Sequence, residues 1–366
     1  MISKLFTYKS AALLAVLSLT AAVRSNAQET STTSGAVFVM TNSNTRNEIL
    51  QFVRNPNGSL FQVGETLTGG NGSGGTTDPL ASQNSLLLTS DSRFLLAVNA
   101  ASGTISSFAV FGAFLIPADV QSSGGAFPNA IAQWGNLIYV LNASGNSNVV
   151  GFNVENGHLV RIPNATGYLT TGLSGGSSLT FSADGKVLLV SERTTGLIDS
   201  FPVNADGTLG AATVTSYPGI FDFTTSSTNG LLITVGGPTI SSTSVADNAK
   251  LAAVDNIPIF SGACWVVVTP KGFVYASTGG AGIINGYSLS KAGVLTPIGT
   301  GEAASIPGSA LLDLAVASGG GFLYSLNSGN GAIAAWTINQ STGVLTAIVG
   351  AALPASNAGY NGIAAY

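Results

Sequence analysis

The chain has 366 residues, 45% of them apolar and only 8% charged, whereas soluble domains average about 25% charged. This balance excludes a disordered chain, which needs few apolar residues and high net charge, and a helical bundle, whose faces use Lys and Glu to stay soluble. With 12 basic and 16 acidic residues, formal net charge −4, there is no positive field to hold nucleic acid or anionic lipid.

Residues 1–27 read as an export signal. Lys4 and Lys9 give a positive start, Ala11 to Val23 a short apolar stretch, and Ser25-Asn26-Ala27 the small residues that a signal peptidase reads. The apolar stretch is too short for a membrane helix, which needs about 20 residues; a buried N-terminal helix is the alternative. Cleavage after Ala27 removes Lys4, Lys9 and Arg24, leaving 9 basic residues against 16 acidic. Five N-x-[ST] sequons follow, at Asn57, Asn71, Asn142, Asn164 and Asn339, as expected of a glycosylated secretory product. No later apolar run could span a bilayer, so residues 28–366 are expected to form one secreted, monomeric domain, extracellular or wall-associated.

From Val37 onward a short apolar strand ending in a small or polar residue recurs seven times, starting at Val37, Phe94, Leu137, Val187, Leu231, Phe273 and Phe322. The mean spacing of about 47 residues fits a four-stranded propeller blade. Each copy follows a strand and a tight turn, as in Thr180 to Lys186. It precedes an alternating strand such as Val149 to Val154, then a Gly-bearing turn and a fourth strand. Asn156-Gly157 and Asp206-Gly207 are strong hairpin signals, because tight hairpin turns need positive φ. The 47 glycines, with no Gly-X-Y period, agree with many such turns.

The first copy has no room for a preceding strand, while Asn361 to Tyr366 resemble the first strand of blade three (Asn129 to Ala132). The expectation is an all-β, seven-bladed propeller, four antiparallel strands (A to D) per blade, with the first blade completed by the C-terminal strand; an open β-solenoid or two sandwiches are the alternatives. Two stretches break the period: Gly69 to Ser85, and Val235 to Leu251, read as a polar excursion in blade five. Long loops in a compact domain are usually functional or disordered.

Propeller topology sorts the scarce charges between two faces. Asp91, Arg93, Asp184, Lys186 and Lys271 fall in A-to-B turns; Asp206, Lys291 and the lone histidine, His158, fall in C-to-D turns on the same face. On the other face Arg46, Glu192 and Arg193 lie in or beside B-to-C loops. Asp78, Asp222, Glu302 and Asp313 lie in D-to-A loops or at the starts of inner strands. Asp222 and Asp313 could point to the channel, where an isolated carboxylate acquires a raised pKa and an Arg fork can orient an anionic or hydroxylated ligand. A bland reading, loop fastening, competes at each position.

One histidine excludes a His-rich metal site. No Gly-x-Ser-x-Gly elbow has a histidine downstream. The single cysteine, Cys264, starts an inner strand and reads as a small hydrophobe. The Gly69 to Gly75 run lacks the lysine and helix of a phosphate loop.

The run Phe181 to Glu192 (FSADGKVLLVSE), continued through Arg193 to Phe201 (RTTGLIDSF) and Asp206 to Gly210 (DGTLG), resembles the lactonase-type seven-bladed propellers. That group includes 6-phosphogluconolactonase-like proteins and fungal 3-carboxy-cis,cis-muconate lactonising ("3-carboxymuconate cyclase"-like) enzymes. The resemblance implies a ligand cleft on the loop face and, in the muconate enzymes, a His/Glu/Arg group without metal or organic cofactor. Glu192 and Arg193 match the strand-B glutamate and the basic residue after it; the histidine has no match on that face, and no arginine follows Arg193. Two functions stay open. One is a lactonase-like protein holding a small polar or anionic ligand through Glu192, Arg193, Asp222 and Asp313, with lactone hydrolysis or lactonisation. The other is a non-catalytic interaction protein contacting an extracellular protein or glycan.

Overall fold

The computed structural model describes residues 34–366 apart from 260, 261 and 357; the expected export signal lies outside the described residues. The alternating runs form seven four-stranded antiparallel sheets, each ordered A-B-C-D from the axis outward. All seven recurring apolar runs are B strands, buried along nearly their whole length because both faces pack on neighbouring blades. The D strands mix half-buried and exposed residues, since only one face meets protein. The Asn156–Gly157 hairpin has φ of 53° and 90°, the positive pair that a type I′ turn requires.

Blade one closes the ring. Ile363–Ala365 pairs antiparallel with Gly35–Met40, Val37 opposite Ala365 and Val39 opposite Ile363. The Ala36 and Tyr366 backbones exchange hydrogen bonds of 3.2 and 3.0 Å, and Arg54 Nε donates to the Tyr366 carbonyl at 3.0 Å. A Cβ on Gly35 would fall 1.9 Å from that carbonyl oxygen, so the closure needs glycine there.

Adjacent blades are fastened by a repeated device. A hydroxyl from one blade donates to the carbonyl of a positive-φ glycine in the next blade's C-to-D turn. Tyr275 reaches Gly343 at 2.6 Å, Tyr324 reaches Gly58 at 2.8 Å and Ser242 reaches Gly293 at 2.6 Å; Ser107 and Tyr139 do the same to Gly157 and Gly207.

Val235 to Leu251 is not a polar excursion. It contains strand C of blade five, Thr239–Val245, which pairs with Leu232–Gly236 and Leu251–Pro258. The run looks loop-like because Ser and Thr fill it, but Ser241 and Ser242 are buried and their hydroxyls bond to Tyr217 and Gly293. Hydrogen bonds to neighbouring elements offset the cost of burying those hydroxyls.

Gly69 to Ser85 is the long D-to-A connection from blade one to blade two, and part of it enters the channel. Ser82 Oγ donates to the Asn129 carbonyl of blade three (2.7 Å), and the Ser82 carbonyl accepts from Trp265 Nε1 of blade six (3.1 Å). Gln83 N donates to the Ser177 carbonyl of blade four (3.2 Å), while its side chain pairs with Val266 of blade six. One segment meets blades three, four and six only by lying across the axis. It is an internal plug.

Candidate functional site

The inner strands begin at the loop face, so the first residues of each A strand ring the axial mouth beside the plug. Asp222 stands in Ile220–Thr225 of blade five and Asp313 in Leu311–Val316 of blade seven, both buried. Asp222 Oδ1 accepts from the Phe223 amide at 2.7 Å and Asp313 Oδ2 from the Gly362 amide at 2.6 Å. Asp222 Oδ2 and Asp313 Oδ1 have no hydrogen-bond partner among the described residues. Asp78, half-buried in the plug segment, accepts from the Ala81 amide (3.1 Å) and from Asn361 Nδ2 (2.9 Å).

Burial raises all three carboxyls. Asp313 is pushed up to about 8, chiefly by desolvation and further by the charge of Asp78. Desolvation, with Asp313 adding, holds Asp222 well above the usual carboxylate range. Asp78 is raised by burial and partly restored by its hydrogen bonds and by Arg193. Burial thus favours the protonated, hydrogen-bond-donating form of both Asp222 and Asp313 over the carboxylate.

Arg193, in the B-to-C loop of blade four, is exposed at this mouth, its Cζ 5.0 Å from the centroid of Phe221. Phe221 packs on Trp265 with ring centroids 5.6 Å apart. The Arg193 guanidinium has no ion pair or hydrogen bond among the described residues. The field of Arg193 reaches both Asp78 and Cys264, and burial pushes the Cys264 thiol up to about 11, so it stays protonated.

The structure thus brings together Arg193, Asp78, Asp222 and Asp313. It sets the other candidates apart. Along Val187–Glu192, alternation turns Leu188, Val190 and Glu192 toward blade three and Ser191 toward Phe221. Glu192 is wholly buried there, accepting from the Thr170 amide (2.7 Å) and from the hydroxyls of Thr170 and Thr195 (2.5 Å each). Asp199, beside it on strand C, is raised to about 7 by desolvation and by the charge of Glu192. Arg46 is paired with Glu48 at 2.8 Å on a separate cavity of about 440 Å³ that Glu65 and Tyr360 also line. Glu302 lies within outer strand D of blade six, Leu295–Ser305, opposite Asn285, and so in neither a D-to-A loop nor an inner strand.

Among the sequons, Asn57, Asn71 and Asn164 are exposed and Asn339 is half-buried. Asn142 is fully buried, its amide donating to the Ser123 carbonyl (3.2 Å) and to Asn148 (2.9 Å), so the folded chain has no room for a glycan there. His158 is on the opposite face, its Nδ1 3.9 Å from Asp119. Among the described residues no three His, Cys, Asp or Glu side chains are placed to hold a metal ion. No described helix is long and apolar enough to cross a membrane.

Sequence reading missed the Gln83 plug and the Phe221–Trp265 platform. The break in period at Gly69 to Ser85 was the only signal for the first.

No family model matches the chain, and no curated protein matches it. Solved structures do. A Bacteroides uniformis protein provisionally assigned as a 6-phosphogluconolactonase superposes with a TM-score of 0.71 at 18% identity, over 90% of this chain and 98% of that one. A periplasmic gluconolactonase of Pseudomonas aeruginosa gives 0.71 at 14%, over 90% and 98%. Virginiamycin B lyase of Staphylococcus aureus gives 0.52 at 12%, over 75% and 86%. The chain has the lactonase-type seven-bladed propeller fold; identities this low carry the likeness no further.

Proposed function

We propose that the protein is a secreted, lactonase-type propeller whose axial mouth binds a small polar or anionic ligand, with Arg193 as its anchor. The observation that supports this is the guanidinium, stacked on Phe221 and without an ion pair among the described residues, beside carboxyls whose ionisation burial disfavours. An anion meets a planar donor fork there, and burial opposes the competing negative charge on Asp222 and Asp313. A sugar lactone, or the aldonate it opens to, has the matching set of hydroxyls and carboxyl. The lactonase names of two structural neighbours lend support.

Hydrolysis at this mouth assigns the base to Asp78, the one carboxyl of the three that solvent reaches. Asp78 takes a proton from water as the hydroxide adds to the lactone carbonyl; the ring C–O bond then breaks and the proton passes to the leaving alkoxide. Glu192 then serves as a structural residue. Calorimetric titration with gluconolactone and gluconate, with pH-stat turnover, tests the reading. Arg193→Ala is expected to weaken binding by about tenfold and Asp78→Asn to abolish turnover while keeping binding. Equal affinity of Arg193→Ala and the parent sinks the site.

The plugged channel and the engagement of Glu192 favour a second reading, a non-catalytic extracellular contact protein. Tight binding of the aldonate with no lactone turnover selects it. Secretion and glycosylation at Asn57, Asn71 and Asn164 belong to this proposal; loss of a glycosidase-sensitive mobility shift in the triple Asn→Gln variant is the expected result.

A further inference from the structure

The face opposite the axial mouth carries a separate cavity of about 670 Å³ between blades three and four. We propose that it is a carbohydrate-binding site for a neutral pyranose oligosaccharide, with Trp134 as the stacking platform. Of the three tryptophans, Trp265 and Trp336 are buried at 2% and 4% exposure, whereas Trp134 is 45% exposed and lines the groove. An indole left open to water beside polar groups matches a sugar, which presents an apolar C–H face and a rim of hydroxyls.

The platform is held in place before any ligand arrives. Trp134 ends strand A of blade three at a two-residue hairpin whose first central residue, Gly135, has φ 56°. Its ring rests on Gly185, where a Cβ would come within 2.2 Å of Trp134 Nε1. The facing rim, Asn204 to Gly207, is equally fixed. The Asn204 and Thr208 backbones pair at 2.9 Å, Asp206 Oδ1 accepts from the Thr208 amide at 3.0 Å, and Gly207 receives the Tyr139 hydroxyl. Pre-organisation of this kind lowers the entropy lost on binding.

Chemistry narrows the ligand. The side-chain amides of Asn136 and Asn153 line the groove and have no partner among the described residues, leaving donors and acceptors suited to hydroxyls. The one cation in the lining, Lys186, is paired with Asp184 (3.1 Å) and Asp247 (2.9 Å). Asp206 adds negative charge, so an acidic saccharide is disfavoured.

The test uses the mature chain and reads tryptophan fluorescence quenched by acrylamide, which reports Trp134 because the other two are buried. Cellotetraose, maltotetraose and mannotetraose are the probes, with tetragalacturonic acid as the charged control. At least one neutral tetrasaccharide is expected to protect Trp134 with a Kd of about 1 mM. By calorimetry, Trp134→Ala is expected to weaken that binding at least about tenfold, and Asn136→Ala, at an exposed turn position that the fold does not depend on, several-fold. The proposal is overturned if none of the neutral probes protects at about 20 mM. It is also overturned if both variants bind like the parent, or if the galacturonate binds most tightly.

Discussion

The side chain of Gln83 crosses the axis of the ring and pairs with both backbone groups of Val266, Nε2 donating to the carbonyl and Oε1 accepting from the amide, each at 2.9 Å. The amide thus imitates a strand neighbour for the inner strand of blade six, and it fixes the plug. Gln83→Ala leaves two buried backbone groups unpaired. A loss of about 2–4 kcal/mol in urea unfolding is expected. A loss below about 0.5 kcal/mol shows that the plug is not fastened there.

Ring closure rests on the pairing of Ile363–Ala365 with Val37–Val39 and on flanking backbone bonds of Tyr366 with Ala36 and of Gly362 and Asn361 with Met40. Deleting residues 362–366 exposes the inner edge of Gly35–Met40 and strips Asp313 of the hydrogen bond from the Gly362 amide. Thermal unfolding of the truncated chain is expected to show a loss exceeding about 4 kcal/mol, with aggregation through the bared edge. A truncated chain melting with the parent contradicts the closure.

Asp199 makes stability depend on pH. Its folded pKa is raised from 3.8 to about 7 by desolvation and by Glu192, so between those values the folded state holds a proton that the unfolded state has lost. Stability therefore falls as pH rises from about 4 to about 7 and levels beyond. Asp199→Asn keeps the side chain's size and removes the titration. Relative to its parent, the variant is expected to gain about 2–4 kcal/mol between pH 5 and pH 8. Asp313, raised to about 8, has the same sign, so a residual slope persists. Parallel stability–pH curves for variant and parent refute the raised Asp199 carboxyl.

The inter-blade hydroxyl bonds predict a smaller effect. Tyr139→Phe removes the donor to the Gly207 carbonyl while keeping the ring packed near Phe181, at a centroid distance of 6.0 Å. A cost of about 1 kcal/mol in chemical denaturation is expected. No measurable cost means that water replaces the donor.

Sequence alone determined the ring. Seven apolar runs at one period, turns with Asn-Gly and Asp-Gly, and a tail strand with no partner near it in the chain left the N-terminal blade as the place to bury it. Those are local signals, since periodicity and turn chemistry reside in neighbouring residues. The face on which each loop charge sits was legible too, because strand polarity decides it; Glu302 missed only because strand D of blade six runs through it. Side-chain direction was not legible. Glu192 and Arg193 are adjacent in sequence, yet successive residues at a strand end point to opposite sides, and one enters a buried threonine cage while the other reaches the mouth. The Ser/Thr strand of blade five and the Gln83 plug depended likewise on partners about 50 to 180 residues away, which only the tertiary structure brings within hydrogen-bonding distance.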